Sequence, residues 1–320
     1  MIYLVLLLLS FVLTYLIKNY AIKKSLVAQV NERSSHSVPT PHGGGIAIAV
    51  TWFVGLGYLY FTAAINTQLF YALLVGAIIA IVSFFDDLYE LSPKVRLITQ
   101  ALVAGFGIYF LDGLREIDFG LFSVTNQFLT NGFAFLLIVW FINLYNFLDG
   151  INGYAGSEVL FLALAGFVLF GDGHFLVLVV VMLGFLYWNF GNAKIFMGDV
   201  GSTLLGYNVA IFTLYYANVD AVNLWIWIIL FGVFWFDATV TLVRRKLNGE
   251  KLSQAHKKHA YQRLTQAGWS HTKVVVATMA VNMVLFGLVY YLSNLFLAFT
   301  AAMVVLSASM FYVEKQKQFQ

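Results

Sequence analysis

Cysteine is absent from the 320 residues, which removes disulfides, thiolate metal sites and a cysteine nucleophile from consideration. Charge is scarce as well: 10% of residues are Asp, Glu, Lys or Arg, against about 25% in soluble domains. In their place, 61% of residues are hydrophobic and the mean hydropathy is +0.83. The apolar runs lack the two-residue alternation of membrane barrel strands and are continuous in Leu, Ile, Val, Phe and Ala, which favours helices. Nothing between those runs is long enough for a soluble domain of appreciable size. There is no internal repeat of the kind that builds secondary transporters, and no low-complexity tract. The formal net charge of +3 excludes little, because in such a chain the position of each charge matters more than the sum.

A helix needs roughly 20 mostly apolar residues to cross the hydrocarbon core. Apolar stretches near 2–19, 44–62, 69–85, 95–111, 132–146, 156–171, 174–190, 201–217, 222–243, 273–292 and 295–313 therefore predict an all-α polytopic membrane protein of about eleven transmembrane helices. Basic residues follow the first run (Lys18, Lys23, Lys24) and none precede it, the order of an uncleaved span entering from outside. Alternation from an outside N-terminus puts the C-terminus in the cytoplasm, together with every Lys and Arg except Arg115, as the positive-inside rule requires. On this reading 1–320 is a single transmembrane catalytic domain, with cytoplasmic loops near 20–44, 85–95, 146–156, 189–202 and 244–273.

Five clusters on that face carry polar chemistry. Asp86 and Asp87 are adjacent at the cytoplasmic end of the third span; two carboxylates there repel and need a metal, a basic phosphate site or a general-base role. The alternative is a solvated helix end with Lys94 and Arg96 as counter-charges. In NLYNFLDGINGYAG, Asn143, Asn146 and Asp149 fall at i, i+3 and i+6 on one predicted helix face, with Gly150, Gly153 and Gly156 able to admit a ligand or simply to turn. Asp199 sits between Gly198 and a Gly201-Ser202 step that opens the eighth span, placed either to hold Mg²⁺ beside phosphate-binding N–H groups or to cap a helix. Asn189, ten residues earlier, joins it only after a turn. His256 and His259, at i and i+3, are flanked by Lys257, Lys258 and Arg263, a pattern suited to a diphosphate or to anionic lipid. PTPHGGG before the second span suits close backbone approach or a flexible turn. Asp237 is the acid placed well inside a span, two turns from Arg244, a functional candidate unless Arg244 or Arg245 captures it.

In this order PTPHGGG, FFDDLYELSPK, NLYNFLDGING, IFMGDVGS and AHKKHAYQRL, spread over residues 37–263, resemble the polyprenyl-phosphate N-acetylhexosamine-1-phosphate transferases (MraY/WecA-like, glycosyltransferase family 4). The resemblance implies transfer of an N-acetylated amino-sugar-1-phosphate from a UDP-sugar to undecaprenyl phosphate with Mg²⁺ or Mn²⁺, giving undecaprenyl-diphosphate-sugar and UMP. It implies Asp199 as metal ligand, and Asp86 and Asp87 where the lipid phosphate is bound and activated. It further implies Asn146, Asp149 and Asn189 on the nucleotide or diphosphate, and His256 and His259 orienting the diphosphate or sugar. Lys94, Thr40 and Arg263 complete the substrate-binding set. Asn152 stands where peptidoglycan members carry Asp, and two lysines separate histidines that those members place together. Both departures look like the branch that initiates O-antigen or other surface polysaccharides. The expected setting is a bacterial inner (plasma) membrane, with undecaprenyl phosphate, UDP-N-acetylhexosamine and the lipid bilayer as partners, a homodimer left open, and no nucleic acid. The competing readings are a peptidoglycan-precursor phosphotransferase of the same family and a transporter or flippase; the latter needs charges at mid-membrane in several spans.

Overall fold

Short polar side chains start the long helices. In the computed structural model, which describes residues 1–24, 27–28, 40–89, 91–252, 254 and 256–319, the helices are α1 (Ile2–Lys23), α2 (Gly44–Phe61), α3 (Thr67–Leu74), α4 (Gly76–Tyr89), α5 (Pro93–Phe110), α6 (Gln127–Phe147), α7 (Tyr154–Phe170), α8 (Gly173–Asn189), α9 (Asp199–Val219), α10 (Asn223–Leu230), α11 (Gly232–Leu247), α12 (Ala260–Gln266), α13 (His271–Tyr291) and α14 (Leu295–Gln316). Asn66, Ser92, Asn126, Ser270 and Asn294 accept backbone N–H groups at the starts of α3, α5, α6, α13 and α14, satisfying donors that a helix start leaves orphaned. Two small antiparallel ladders accompany them: β1 (Val27–Ala28) with β2 (Thr40–Pro41), and β3 (Ile117–Asp118) with β4 (Ser123–Val124).

Each expected span coincides with a helix or with a broken pair. The third is divided into α3 and α4, and the ninth into α10 and α11, which bend by 71° at Phe231. Among the described residues six helices are long and apolar enough to cross a membrane, or seven with the α10–α11 pair. The others are shorter, as α7 and α8 are, more polar, as α5 is with Lys94, Arg96 and Gln100, or enclosed by protein. α9 is the enclosed one. It is buried almost end to end and packs against α2, α3, α4, α6, α7 and α10. Its Ser202, Asn208 and Thr213 are therefore shielded from lipid, so hydropathy need not mark it as a lone span. This central helix begins at Asp199, and its first turn is the point on which the surrounding loops converge.

Candidate active site

The start of α9 is fixed by backbone contacts that tolerate no side chains. Gly44 N–H donates to Phe196 O at 2.9 Å, Gly45 N–H to Met197 O at 2.8 Å, and Phe196 N–H to Pro41 O at 2.8 Å, so the PTPHGGG segment lies along the loop entering α9. A Cβ on Gly45 would stand 2.2 Å from Gly201 N, which is why both positions are glycine. Gly43 and Gly198 adopt positive φ, 100° and 75°, and complete the turns. Thr40 is buried on β2, opposite Ala28. Residues 31–39, part of the first expected loop, lie outside the described residues.

Around this start the acids differ in how fully they are bonded. Both oxygens of Asp86 are engaged: Arg96 Nε is 2.8 Å from Oδ2, and the Leu91 N–H donates to Oδ1 at 2.7 Å. Asp87 lies against Gly198, where an added Cβ would stand 3.1 Å from its Oδ2, beside the start of α9. Asp199 takes a 2.9 Å bond from Asn146 Nδ2 on Oδ1, and the same amide lies 3.0 Å from Ser202 Oγ. Asp149 forms no side-chain hydrogen bond among the described residues. It keeps some contact with solvent but is crowded by protein, and burial, followed by the negative charges of Asp199 and Asp87, pushes its carboxyl well above the usual range. His42 feels Asp199 as well, but burial outweighs that attraction and lowers its pKa.

Asp86, Arg96, Gln100, Asn143, Asn146, Asp199 and Thr203 line a polar cavity of about 110 Å³ between α4, α5, α6 and α9. The expected polar stripe of α6 holds for Asn143 and Asn146. Asp149 falls beyond the helix end at Phe147, so it approaches the cluster from the loop instead. Asn143 forms a reciprocal amide pair with Gln100, at 2.7 and 3.3 Å.

Asn189 is a clamp. Its Oδ1 accepts Gly153 N–H at 2.9 Å and its Nδ2 donates to Ile195 O at 2.9 Å, sewing the 150s loop to the segment before α9. Asn152 adds a second stitch, donating to Gly191 O at 2.7 Å. With both ends of its amide engaged, Asn189 acts on the site by positioning.

The histidine loop packs on the far side of the Asp149 loop. Tyr261 hydroxyl donates to Phe147 O at 3.1 Å, and a Cβ on Gly150 would lie 2.0 Å from that hydroxyl. His259 is buried, its ring 6.3 Å from Phe147 and 4.8 Å from His256. Asp237 is held neither by Arg244 nor by Arg245. Both its oxygens accept the Ala260 N–H, at 2.8 and 2.9 Å, and Oδ1 lies 3.5 Å from His259 Nδ1. Arg244 instead bonds Glu314 and Arg245 bonds Glu250, so Asp237 caps α12 and fixes the loop. His256 is the more accessible imidazole; burial, then the neighbouring His259, lowers it to about 4, leaving it neutral near pH 7.

Two expected binding residues stand elsewhere. Lys94 is exposed in the first turn of α5 and does not line the cavity; Arg96, two residues on, does. Arg263 is buried and donates to Glu314 and to Lys317 O, joining α12 to the end of α14. Sequence reasoning passed over Arg96 and Gln100 as site residues, although their i, i+4 spacing on an otherwise apolar helix was a readable polar stripe. His42 carried no signal beyond its place in PTPHGGG.

Among the described residues no three His, Cys, Asp or Glu side chains are gathered closely enough to form a metal site of their own. The cluster offers one half-bonded carboxylate, one unbonded carboxylate, a guanidinium and several amides, a set suited to anions brought in with a cation.

Comparison with known proteins adds a family. The family model "Glycosyl transferase family 4" matches residues 69–217. A "probable undecaprenyl-phosphate N-acetylglucosaminyl 1-phosphate transferase" of Bacillus subtilis (strain 168) is 34% identical over 291 residues, covering 85% of this chain and 79% of that protein. A decaprenyl-phosphate N-acetylglucosaminephosphotransferase of Mycobacterium tuberculosis (strain ATCC 25618 / H37Rv) is 28% identical, with 85% and 77% covered. An undecaprenyl-phosphate alpha-N-acetylglucosaminyl 1-phosphate transferase of Salmonella typhi is 28% identical, with 83% and 76% covered.

Proposed function

Since the chain belongs to the polyprenyl-phosphate N-acetylglucosamine-1-phosphate transferases of glycosyl transferase family 4, and so transfers a sugar phosphate to a polyprenyl phosphate, we propose that its donor is a UDP-N-acetylhexosamine and its acceptor undecaprenyl phosphate. The products are undecaprenyl-diphosphate-sugar and UMP. An oxygen of the lipid phosphate attacks the sugar-bearing phosphorus while the bond to UMP breaks, so one phosphoanhydride replaces another. The observation that carries this reading is the convergence of Asp87, Asp149 and Asp199 with Arg96 and the amides at one helix start.

Two phosphate-bearing substrates repel. At 4 Å and an effective dielectric of 20, unit charges oppose each other by about 4 kcal/mol, and the acid cluster adds negative charge of its own. A divalent cation, Mg²⁺ or Mn²⁺, fits this donor set. Mg²⁺ binds through one or two carboxylates and completes its shell with water and substrate phosphates; burial is the main cause of the raised Asp149 carboxyl, and the charges of Asp199 and Asp87 that add to it are what a cation would offset. Asp199, with one oxygen unbonded, is the first candidate to hold it, and the ion would supply charge neutralisation at the diphosphate. Asp149 contacts the nucleotide or the diphosphate. Asp87 and Arg96 flank the lipid phosphate, with Asp86 holding Arg96 in place. Neutral His256 offers a hydrogen bond to the diphosphate or sugar, while the cations flanking it are engaged within the protein, Lys258 with Glu250 and Arg263 with Glu314. The site faces the cytoplasm of a bacterial inner membrane, the side on which the Lys and Arg residues accumulate.

A role in initiating O-antigen or another surface polysaccharide is favoured over one on peptidoglycan precursors by Asn152. Its amide donates to Gly191 O, which an aspartate could not do. The test is UMP release by purified protein with undecaprenyl phosphate, a panel of UDP-N-acetyl sugars, and Mg²⁺ with or without chelator. Lipid-dependent UMP abolished by chelator and restored by Mg²⁺ supports the reading. Release without lipid, or indifferent to chelator, would overturn it.

A further inference from the structure

A second cavity, far larger than the polar one, lies on the opposite side of the histidine loop. It has a volume of about 530 Å³, well inside the range of roughly 300–1,000 Å³ for sites that hold small ligands. It shares no lining residue with the acid cleft. Its walls are α11, α13 and α14, and Asp237, Ala260 and Tyr261 also line it. Small side chains leave the gap: Ala277 on α13 faces the stretch of α14 that carries Ala308 and Ser309. From Val274 to Val284 the lining of α13 extends for about 15 Å at 1.5 Å per residue, half the depth of a bilayer core of about 30 Å.

The mouth differs from the walls. Trp269 and Tyr312 meet there edge to face at 6.1 Å, an aromatic pair of the kind found at headgroup level. Lys273 Nζ sits 3.9 Å above the Trp269 ring, and Lys315 Nζ lies 4.8 Å over Phe311. The nearby acid of α14, Glu314, is bonded by both Arg244 and Arg263, so the Lys273 charge is not cancelled by it. An apolar slot half a bilayer deep, with two aromatic rings and the Lys273 ammonium group at the end where α13 begins, matches one acyl chain beneath a negatively charged headgroup.

We infer that the α11–α13–α14 cleft is a binding site for an anionic phospholipid, seated with an acyl chain between α13 and α14 and its phosphate at Lys273. The acceptor lipid is a poor match, because its phosphate must reach the acid cleft, from which the α12 cap and Tyr261 separate this slot. The bound chain abuts Asp237 and Ala260, which fix His259, so occupancy steadies the histidine loop without touching the reacting groups.

The experiment uses full-length protein in nanodiscs containing equal amounts of phosphatidylcholine and phosphatidylglycerol, released for native mass spectrometry of retained lipid. Wild type should retain phosphatidylglycerol in preference to phosphatidylcholine by about fivefold, the ratio that one surface lysine supplies. Lys273→Glu, at an exposed position, should abolish the preference, and Ala308→Phe should evict lipid of both kinds. Equal retention of the two phospholipids by wild type would overturn the inference, as would undiminished retention by both variants. Displacement of phosphatidylglycerol by added undecaprenyl phosphate would assign the slot to the acceptor instead. The readout does not involve turnover, so it stands or falls apart from the proposed reaction.

Discussion

Substituting alanine at two glycines of α2 separates packing at the site from helix preference. Gly45 lies where α2 crosses α9: an added Cβ would stand 2.2 Å from Gly201 N, 2.6 Å from Gly201 Cα and 3.0 Å from Met197 O. All three atoms are backbone, and ordinary contact begins near 3.4 Å, so the helices must part by about 1.2 Å along that line. Parting them strains the 2.8 Å bond from Gly45 N–H to Met197 O and moves Asp199, two residues before Gly201. Overpacking of this kind costs about 1–3 kcal/mol, more than the roughly 0.5–1 kcal/mol that alanine gains over glycine inside a helix. A displacement of about 1 Å at reacting groups can cost on the order of 100-fold in rate. Gly57, in the same helix, has nothing within 4 Å of its added Cβ and should show only the propensity gain. The assay is UMP release with thermal melts of the purified proteins. Gly45→Ala should lose about two orders of magnitude in turnover and melt lower, while Gly57→Ala matches or exceeds wild type in stability. Gly45→Ala turning over at the wild-type rate would refute the claim that this crossing sets the position of Asp199.

Three further outcomes follow from the bonding pattern. Arg96→Ala leaves the buried Asp86 carboxylate without its cation and should destabilise by about 1–3 kcal/mol; in a double-mutant cycle with Asp86→Asn the losses should be less than additive, and strict additivity would mean the 2.8 Å pair contributes nothing. His256 is lowered to about 4 from 6.5, so the unfolded chain takes up its proton first; stability should be steady above pH 6.5 and fall as pH drops towards 4, with a shallower fall in His256→Gln melts. Glu158 and Asn282 are fully buried and joined by one bond, Asn282 Nδ2 to Glu158 Oε2, while Glu158 Oε1 and Asn282 Oδ1 have no partner; Glu158→Gln can close an amide pair and should keep thermal stability, Glu158→Ala should lose about 2 kcal/mol, and equal losses in the two would count against the pairing.

Hydropathy located the helices because bilayer thickness imposes a length that composition alone reveals. It could not locate the breaks. α3 gives way to α4 at Val75, and Gly76, whose Cβ would meet Leu204 Cδ1 at 2.8 Å, follows because α4 must lie close on α9. The bend at Phe231 likewise precedes Gly232, packed on Leu285 and Leu306. These breaks answer to neighbours distant in sequence, and no proline or polar gap announces them. The β3–β4 ladder, two residues to a strand, is too short to show a periodicity. In the site, Asp86, Asp87, Asp149 and Asp199 were legible as carboxylates grouped on one face. Asn189, Asp237 and Arg263 were legible only as polar residues that needed partners, because which partner each finds is a matter of tertiary contact.

That division of partners sorts the polar residues by task. Asp86, Asp237 and Arg263 have their bonding capacity spent within the protein, on Arg96 and Leu91, on Ala260 and Thr241, and on Glu314 and Lys317. Asn189 joins them, with Gly153 and Ile195. Each bridges two segments of chain, so removing one releases a loop. Asp149 and Asp199 differ: they keep unbonded oxygens in a crowded place where, besides burial, the charge of Asp199 adds to the cost of charging Asp149. Repulsion left uncompensated inside a folded protein is costly, and a stable fold retains it where a ligand supplies the missing positive charge. The motifs of the sequence hold both groups alike, anchors and carboxylates with unbonded oxygens. Only the bonding pattern tells the support from the surface it presents.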